Sequence, residues 1–499
     1  MAKKIIGAAL FIFVIFLFCY FRLKPLYFQT VGYTYDQGRD FLKAAEIIRD
    51  RNITFIGPTT GIQGLFHGAW YYYLLVIPYL LFNGSPIGYY YFNFILHLFS
   101  LFILMFFIKK WFGSLISLLI GAIIASSPYF IFTSLFVGNN IFVLPLLVLF
   151  IICNYYIFNA ARTVKKTIWF WAGLLVALIF EFEVAFGLFL LPSYILILLL
   201  NKNTRKNLSV NKGLLPYMAG LIIPFVPRIL FEIKNNFMQS KVLVSFFFKP
   251  KIFNPRTFNE IILDRVNLFW GYFKGIFSDQ LVFSVFLFTL VICLLVVLSK
   301  LNKSKDRTLG FFSLSVLLLF VLSLFYKDNF WGNYYEGIQY LFLVMSGNIL
   351  YVGLKKVNML SLLIAALLII VLVNSANSVV KDWSKKPERK LLGNQLAIVD
   401  YISDKFGDKD REYCVKVYTP PVIPYTYRYL FLHKNISKKI PQPKEDWVKD
   451  KCWFIIENDD YKERRLQWLD SNIPKDAKVI EKKTFLDVDV ALYEITKQE

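Results

Sequence analysis

Cysteine, histidine and acidic side chains are all scarce in this chain. Five cysteines and three histidines are spread over 499 residues. That is too few cysteines for a disulfide framework, and their spacing matches no zinc site. Cys19, Cys153 and Cys293 lie in apolar runs, as packing residues do. Cys414 and Cys452 lie in the polar C-terminal part, where spacing alone leaves their pairing open. There is no glycine-rich phosphate loop and no clustered basic tail. The excess of 56 Lys and Arg over 34 Asp and Glu, a net charge of +22, therefore does not read as nucleic-acid binding. Internal repeats, frequent in transporters, are missing. No small-residue cleavage site follows the first apolar run, IIGAALFIFVIFLFCYF, so it reads as a retained span and not as a signal peptide.

Apolar residues fill the space. The chain is 57% hydrophobic and 18% aromatic, with mean hydropathy +0.52. Apolar runs of nearly twenty residues recur up to about residue 376, each long enough to cross about 30 Å of hydrocarbon. This is the pattern of a polytopic α-helical membrane protein. Basic clusters mark cytoplasmic loops. They fall at Lys3-Lys4, Lys109-Lys110, Arg162 to Lys166, Lys202 to Lys206, Lys300 to Arg307 and Lys355-Lys356. An even number of crossings must separate consecutive clusters. The first interval holds three apolar runs, 5–22, 69–83 and 87–108, so one does not cross. The run at 69–83 is short, rich in tyrosine and interrupted by Pro78; it is expected to lie along the outer face. Parity then predicts about 11 transmembrane helices, a cytoplasmic N-terminus and an outside C-terminal part. Of the acids before residue 380, only Asp306 falls on the cytoplasmic side of this scheme.

Two outer loops are large, 23–86 and 232–280. The second carries Lys249, Lys251, Arg256 and Arg265 beside Trp270 and Phe273. After the last span composition changes sharply, and 381–499 is expected to be a small extracytoplasmic α/β domain. RKLLGNQLAIVDYISDKFG has helical spacing, with Leu391, Leu392, Leu396, Val399 and Ile402 on one side. EYCVKVYT, CWFIIEN and ALYEI read as strands.

The chemistry-bearing residues sit at the outer ends of the spans. In YTYDQGRDFLKAAEII, a helix over 36–50 places Asp36 and Asp40 on one side with Arg39 adjacent and an apolar stripe of Phe41, Ala44, Ala45 and Ile48. The same spacing fits a solvated Asp36–Arg39 ion pair. His67 follows a glycine-rich turn. Glu181 and Glu183 interrupt a long apolar stretch, a costly placement that marks function by default and that a hairpin turn reaching water also explains. Arg228 stands near the outer end of its span, suited to a phosphate, to snorkelling or to pairing with Glu232. A carboxylate near a lipid surface is suited to removing a proton from an acceptor hydroxyl, and nearby cations to stabilising a leaving lipid phosphate.

The order of a span, an acidic outer-loop motif, a Gly-Pro turn, a histidine and an aromatic helix resembles the GT-C superfamily of integral membrane glycosyltransferases. It looks most like the branch of protein O-mannosyltransferases and lipid A aminoarabinose transferases. The motifs are YDQGRDFLKAAEII, FHGAWYYYLL and SSPYFIFTSLFVGNN; Gly68 and Ala69 stand where that branch has prolines. The resemblance implies a GT-C-like transmembrane catalytic domain over 1–380. It implies a polyprenyl-phosphate sugar donor, an acceptor that is a glycan, lipid or protein, and inversion at the anomeric carbon. It makes Asp36 the catalytic base and places Arg39 and His67 near the donor phosphate; Asp40 has no firm counterpart in the branch and is the second catalytic candidate from its place beside Asp36 and Arg39. Arg228, Glu181 and Glu183 join the substrate-binding candidates from their positions alone. No essential metal or other cofactor is expected, although the outer carboxylates leave room for a divalent cation. The competing class is a transporter or flippase of a lipid-linked glycan, which calls for ionisable residues at mid-membrane.

Overall fold

The computed structural model describes residues 2–160, 163–208, 213–248, 256–277, 279–298, 307–326, 328–385, 391–406, 412–420 and 422–496. Of the residues singled out above, Arg162, Lys249, Lys251 and the run 300–306 lie outside them. The long apolar runs become helices because backbone polar groups in hydrocarbon must be satisfied within the segment. Lys4–Tyr27, Pro86–Phe112, Leu215–Lys234 and Leu360–Trp383 are each long and apolar enough to cross a membrane. A fifth is added if Ser114–Ser126 and Pro128–Ser134, bent by 65°, form one span. The bend falls at Pro128, which disfavours helical geometry at the residue before it. The other expected spans correspond to shorter helices, among them Val143–Asn159, Lys166–Phe182, Val184–Leu200 and Ile338–Leu354. At 17 residues these rise about 25 Å. The aromatic helix Trp70–Leu81, with Pro78 inside it, has 12 residues and rises only about 18 Å.

The chain divides into two compact units. The first comprises Met1–Leu23, Thr54–Tyr71 and Asn93–Lys385. In it, Lys166–Phe182 and Leu215–Lys234 approach so closely that a Cβ on Gly173 would collide with the Tyr217 carbonyl, and one on Gly220 with that of Phe170. Small residues at both crossings let two membrane helices meet backbone to backbone. The hairpin expected at the acids is present: Lys166–Phe182 ends and Val184–Leu200 begins at Glu183, whose extended backbone breaks the helix.

The second unit comprises Lys24–Ile53, Tyr72–Phe92 and Lys386–Glu499. Its sheet runs Val415–Tyr418, Lys451–Ile456, Val488–Ile495, Ala477–Phe485. The first pair is parallel and the other two antiparallel. Cys414 and Cys452 form a disulfide. Leu391, expected on the buried side of a helix, instead precedes helix Leu392–Ser403 with φ 51° and is 52% exposed. The first-loop helix Tyr35–Arg49 belongs to this unit and packs on helix Tyr425–Lys438. Phe41 stacks on Tyr89 at 3.8 Å and meets Tyr33 and Tyr429 edge or face. The expected stripe is buried at Phe41, Ala44 and Ala45, while Ile48 is exposed.

Gly38 makes that packing possible: a Cβ there would lie 2.5 Å from the Thr426 nitrogen and 2.6 Å from the Tyr425 carbonyl carbon. In an exposed helix, glycine-to-alanine gains roughly 1 kcal/mol. Here Gly38→Ala is expected to lose about 1–3 kcal/mol through forced backbone displacement, read as a lower melting temperature in lipid. An unchanged or higher melting temperature would refute the close approach.

Candidate functional site

In the second unit, the Thr34 N–H donates to Gln37 Oε1 at 2.9 Å, closing the start of the first-loop helix. Asp36 lies in its first turn, where carboxylates suit the helix N-terminus. Arg39 bridges the two aspartates: Nη1 to Asp36 Oδ1 at 3.0 Å and Nε to Asp40 Oδ1 at 2.8 Å. The two carboxylates differ in access. The Asp40 side chain is 3% exposed and accepts a second hydrogen bond from the Tyr72 hydroxyl at 3.3 Å, whereas the Asp36 side chain is 67% exposed. Burial, and then the Asp40 carboxylate, push the Tyr72 phenol well above its ordinary pKa, so it stays a donor. One guanidinium thus holds an open carboxylate and a buried one.

In the first unit, Ile56–Thr59 and Phe66–Gly68 form an antiparallel ribbon, and Gly57 admits the close approach of the Gly68 carbonyl. The ribbon presents buried His67, whose Nδ1 accepts from Val184 N–H at 3.4 Å. Gly68 leaves room for Glu181, because any Cβ there would collide with that carboxyl group. Arg228 Nε meets Glu181 Oε1 at 2.6 Å, and Arg228 Nη1 donates to the Phe66 carbonyl and to Gln239 Oε1, both at 2.9 Å. Arg228 Nη2, Gln239 Nε2 and Glu181 Oε2 are buried with no partner among the described residues. Glu183 caps Val184–Leu200 by accepting from Ala185 N–H at 3.2 Å, and accepts from Asn139 Nδ2 at 3.3 Å. Glu336, just before helix Ile338–Leu354, accepts from Asn140 Nδ2 at 3.4 Å.

The residues selected from sequence therefore assemble in two sets: His67, Glu181, Glu183 and Arg228 in one unit, Asp36, Arg39 and Asp40 in the other. Arg228 pairs with Glu181 and not with Glu232, which instead accepts from Gln239 N–H, Ser240 N–H and the Ser240 hydroxyl. Sequence reading missed Tyr72, Asn139, Gln239 and the partnership of Glu336. Tyr72 carried no signal, being one of three consecutive tyrosines in an aromatic run. Gln239 and Asn139 are ordinary polar residues until the fold brings them to a charge.

No protein-family model matches the sequence, and no curated protein matches it. Solved structures do match the fold. ArnT from Cupriavidus metallidurans in the apo state superimposes with a TM-score of 0.59 at 10% identity, covering 98% of this chain and 98% of its own. The same protein bound to undecaprenyl phosphate gives 0.58 at 11% identity over the same shares. The chain has the ArnT fold. As in the sequence expectation, that fold is mostly helical, with apolar membrane-length helices and a small C-terminal sheet domain. Among the described residues of this ArnT-like chain, no three His, Cys, Asp or Glu side chains are grouped to hold a metal ion.

On the ArnT-like scaffold Glu336 is the titratable group best placed for a pH test. Burial raises its carboxyl to about 7, against the lowering effect of Tyr129 and Asn140. A raised folded-state pKa stabilises fully below the ordinary value of 4.5 and is lost as pH rises through 7. The loss is expected to be about 2.5 kcal/mol between pH 5 and 8. The melting temperature of the wild type should fall across that range more than that of Glu336→Gln; parallel curves would refute the assignment.

Proposed function

We propose that this protein is a membrane glycosyltransferase that moves a sugar from a polyprenyl-phosphate donor to an acceptor hydroxyl at the extracytoplasmic face, with Asp36 as general base. The observation that carries this reading is the unequal carboxylate pair on Arg39, set in a chain with the ArnT fold over nearly its whole length. The ArnT structure bound to undecaprenyl phosphate supports a lipid-phosphate donor. Asp36 accepts the proton of the acceptor hydroxyl as that oxygen bonds to the anomeric carbon. The bond from that carbon to the phosphate oxygen breaks, its electron pair stays on the phosphate, and polyprenyl phosphate leaves. A single displacement of this kind inverts the anomeric centre. Arg39 steadies Asp36, and Asp40 steadies Arg39.

Arg228 is the proposed donor-phosphate ligand, with His67 beside it. Its guanidinium is held in place by Glu181, Phe66 and Gln239, and Nη2 is left for a phosphate oxygen, as is the Gln239 amide. Glu183 is assigned to the substrate side of the same hairpin. No cofactor is assigned a step. The positive-inside pattern puts the N-terminus in the cytoplasm and the C-terminal unit outside. The Cys414–Cys452 disulfide supports that side, since disulfides persist in oxidising compartments.

The test is donor turnover. The purified protein in lipid is given a panel of labelled polyprenyl-phosphate sugars with membrane extract as acceptor. Transfer of label with release of polyprenyl phosphate is the expected result. No transfer from any donor, together with movement of the labelled lipid across vesicles, would overturn the reading in favour of a flippase.

A further inference from the structure

The second unit contains a cleft of about 940 Å³ that the proposed reaction has not used. One wall is Tyr33, Thr34 and Tyr35, the residues that lead into the first-loop helix and end one position before Asp36. The facing walls come from the C-terminal part of the chain, including Asn394, Gln395, Glu457 and Asp487.

The lining is chemically selective. In a chain with net charge +22, none of the described lining residues is Lys, Arg or His. Among the described lining residues a phosphate, sulfate or uronate would find no cation, and it would face Glu457 and Asp487. Beside aliphatic Leu391, Ile423, Leu486 and Val488, the cleft offers tyrosine rings, carboxamides, threonine hydroxyls and carboxylates, which hydrogen-bond or stack without needing a charged partner.

One polar group in the cleft is unsatisfied. Gln395 is 8% exposed, donates from Nε2 to Glu457 Oε1 at 3.3 Å, and has no partner for Oε1 among the described residues. Glu457 Oε1 also accepts from the Tyr427 hydroxyl at 2.9 Å. A buried carbonyl oxygen without a donor is costly, and the cost is recovered when a ligand hydroxyl donates to it.

We propose that this cleft binds the neutral, hydroxyl-rich end of a carbohydrate acceptor, so that the acceptor is a glycan and not an anionic lipid headgroup or a peptide. The vicinal hydroxyls of a neutral sugar both donate and accept, matching Gln395, Asn394 and the carboxylates. Its C–H face is apolar enough to lie on Tyr35, whose ring is already braced edge-on by Tyr425 at 4.9 Å. The cleft's role as an acceptor site rests on the transferase reading above; its binding chemistry does not.

The full-length protein in lipid is titrated with short labelled manno-, gluco- and galacto-oligosaccharides, in parallel with a serine- and threonine-containing peptide and an acidic oligosaccharide. At least one neutral oligosaccharide is expected to bind. Two variants are expected to weaken it about tenfold or more: Gln395→Leu, which removes the unsatisfied carbonyl, and Asn458→Trp, which fills the cleft from its exposed rim and gives up the hydrogen bond that Asn458 Oδ1 accepts from Asp459 N–H. Failure of every neutral oligosaccharide to bind overturns the proposal. So does preference for the peptide or the acidic glycan, or binding that both variants leave unchanged. Release of polyprenyl phosphate from donor, with membrane extract supplied as acceptor, is measured on the same samples. Release without oligosaccharide binding overturns the cleft assignment and leaves the transferase standing. Binding without release supports the cleft and counts against the transferase.

Discussion

Asp36→Asn is expected to lower sugar transfer by about 10²–10⁴-fold while leaving the melting temperature nearly unchanged. The rate loss is the usual worth of a positioned general base, because an amide keeps the shape of the carboxylate but does not take up the proton. The small stability change follows from exposure: the Asp36–Arg39 ion pair is solvent-facing on the aspartate side, and such pairs contribute about 0–1 kcal/mol. Asp40→Asn should do the reverse. It weakens a buried ion pair and the Tyr72 hydrogen bond, so the melting temperature falls first. The two substitutions, read in the same transfer and melting assays, separate base from support. If Asp40→Asn abolishes transfer at unchanged stability while Asp36→Asn retains it, the base is Asp40.

The second large effect is expected at the Glu181–Arg228 pair. The Glu181 side chain is fully buried and that of Arg228 is 12% exposed. Glu181→Ala leaves the guanidinium buried without its carboxylate, and removing one partner of a buried pair costs about 3–5 kcal/mol. Replacing both, as Glu181→Leu with Arg228→Met, removes the unpaired charge and should restore much of that stability. Donor turnover should not return with it, because the double variant offers no cation to the phosphate. Melting temperature and polyprenyl-phosphate release therefore move apart in the double variant. Recovery of both would make the pair purely structural and would end the donor-phosphate assignment for Arg228.

The helical membrane class was legible because periodic burial was not needed to see it; runs such as 5–22 and 87–108 are apolar all round. The Glu181–Glu183 hairpin was legible because two carboxylates inside hydrocarbon demand a break. Other elements gave weaker signals. Strand Ala477–Phe485 was missed since AKVIEKKTF does not alternate apolar with polar: it is an edge strand, largely exposed, and its lysines are the kind that discourage further pairing. Leu391 was misplaced because spacing counts a leucine as buried whether or not the backbone is helical there. Gly38 was a signal left unread. A glycine inside a helix that could have had alanine marks a close approach, and the Tyr425–Thr426 backbone is what approaches.

Local chemistry along the chain determined the apolar helices, the break at the acids and the identity of the residues worth testing, because hydropathy and charge act on each segment separately. Which acid pairs with which base was decided only in three dimensions. Arg228 has Glu232 four residues away in its own helix, yet its partner is Glu181, brought near by the glycine crossing of Gly173 and Gly220. The difference between Asp36 and Asp40 is likewise invisible in a spacing of four. It arises because one aspartate faces solvent and the other is closed over by Tyr72 and Arg39, and burial is a property of the packed chain, not of the residue.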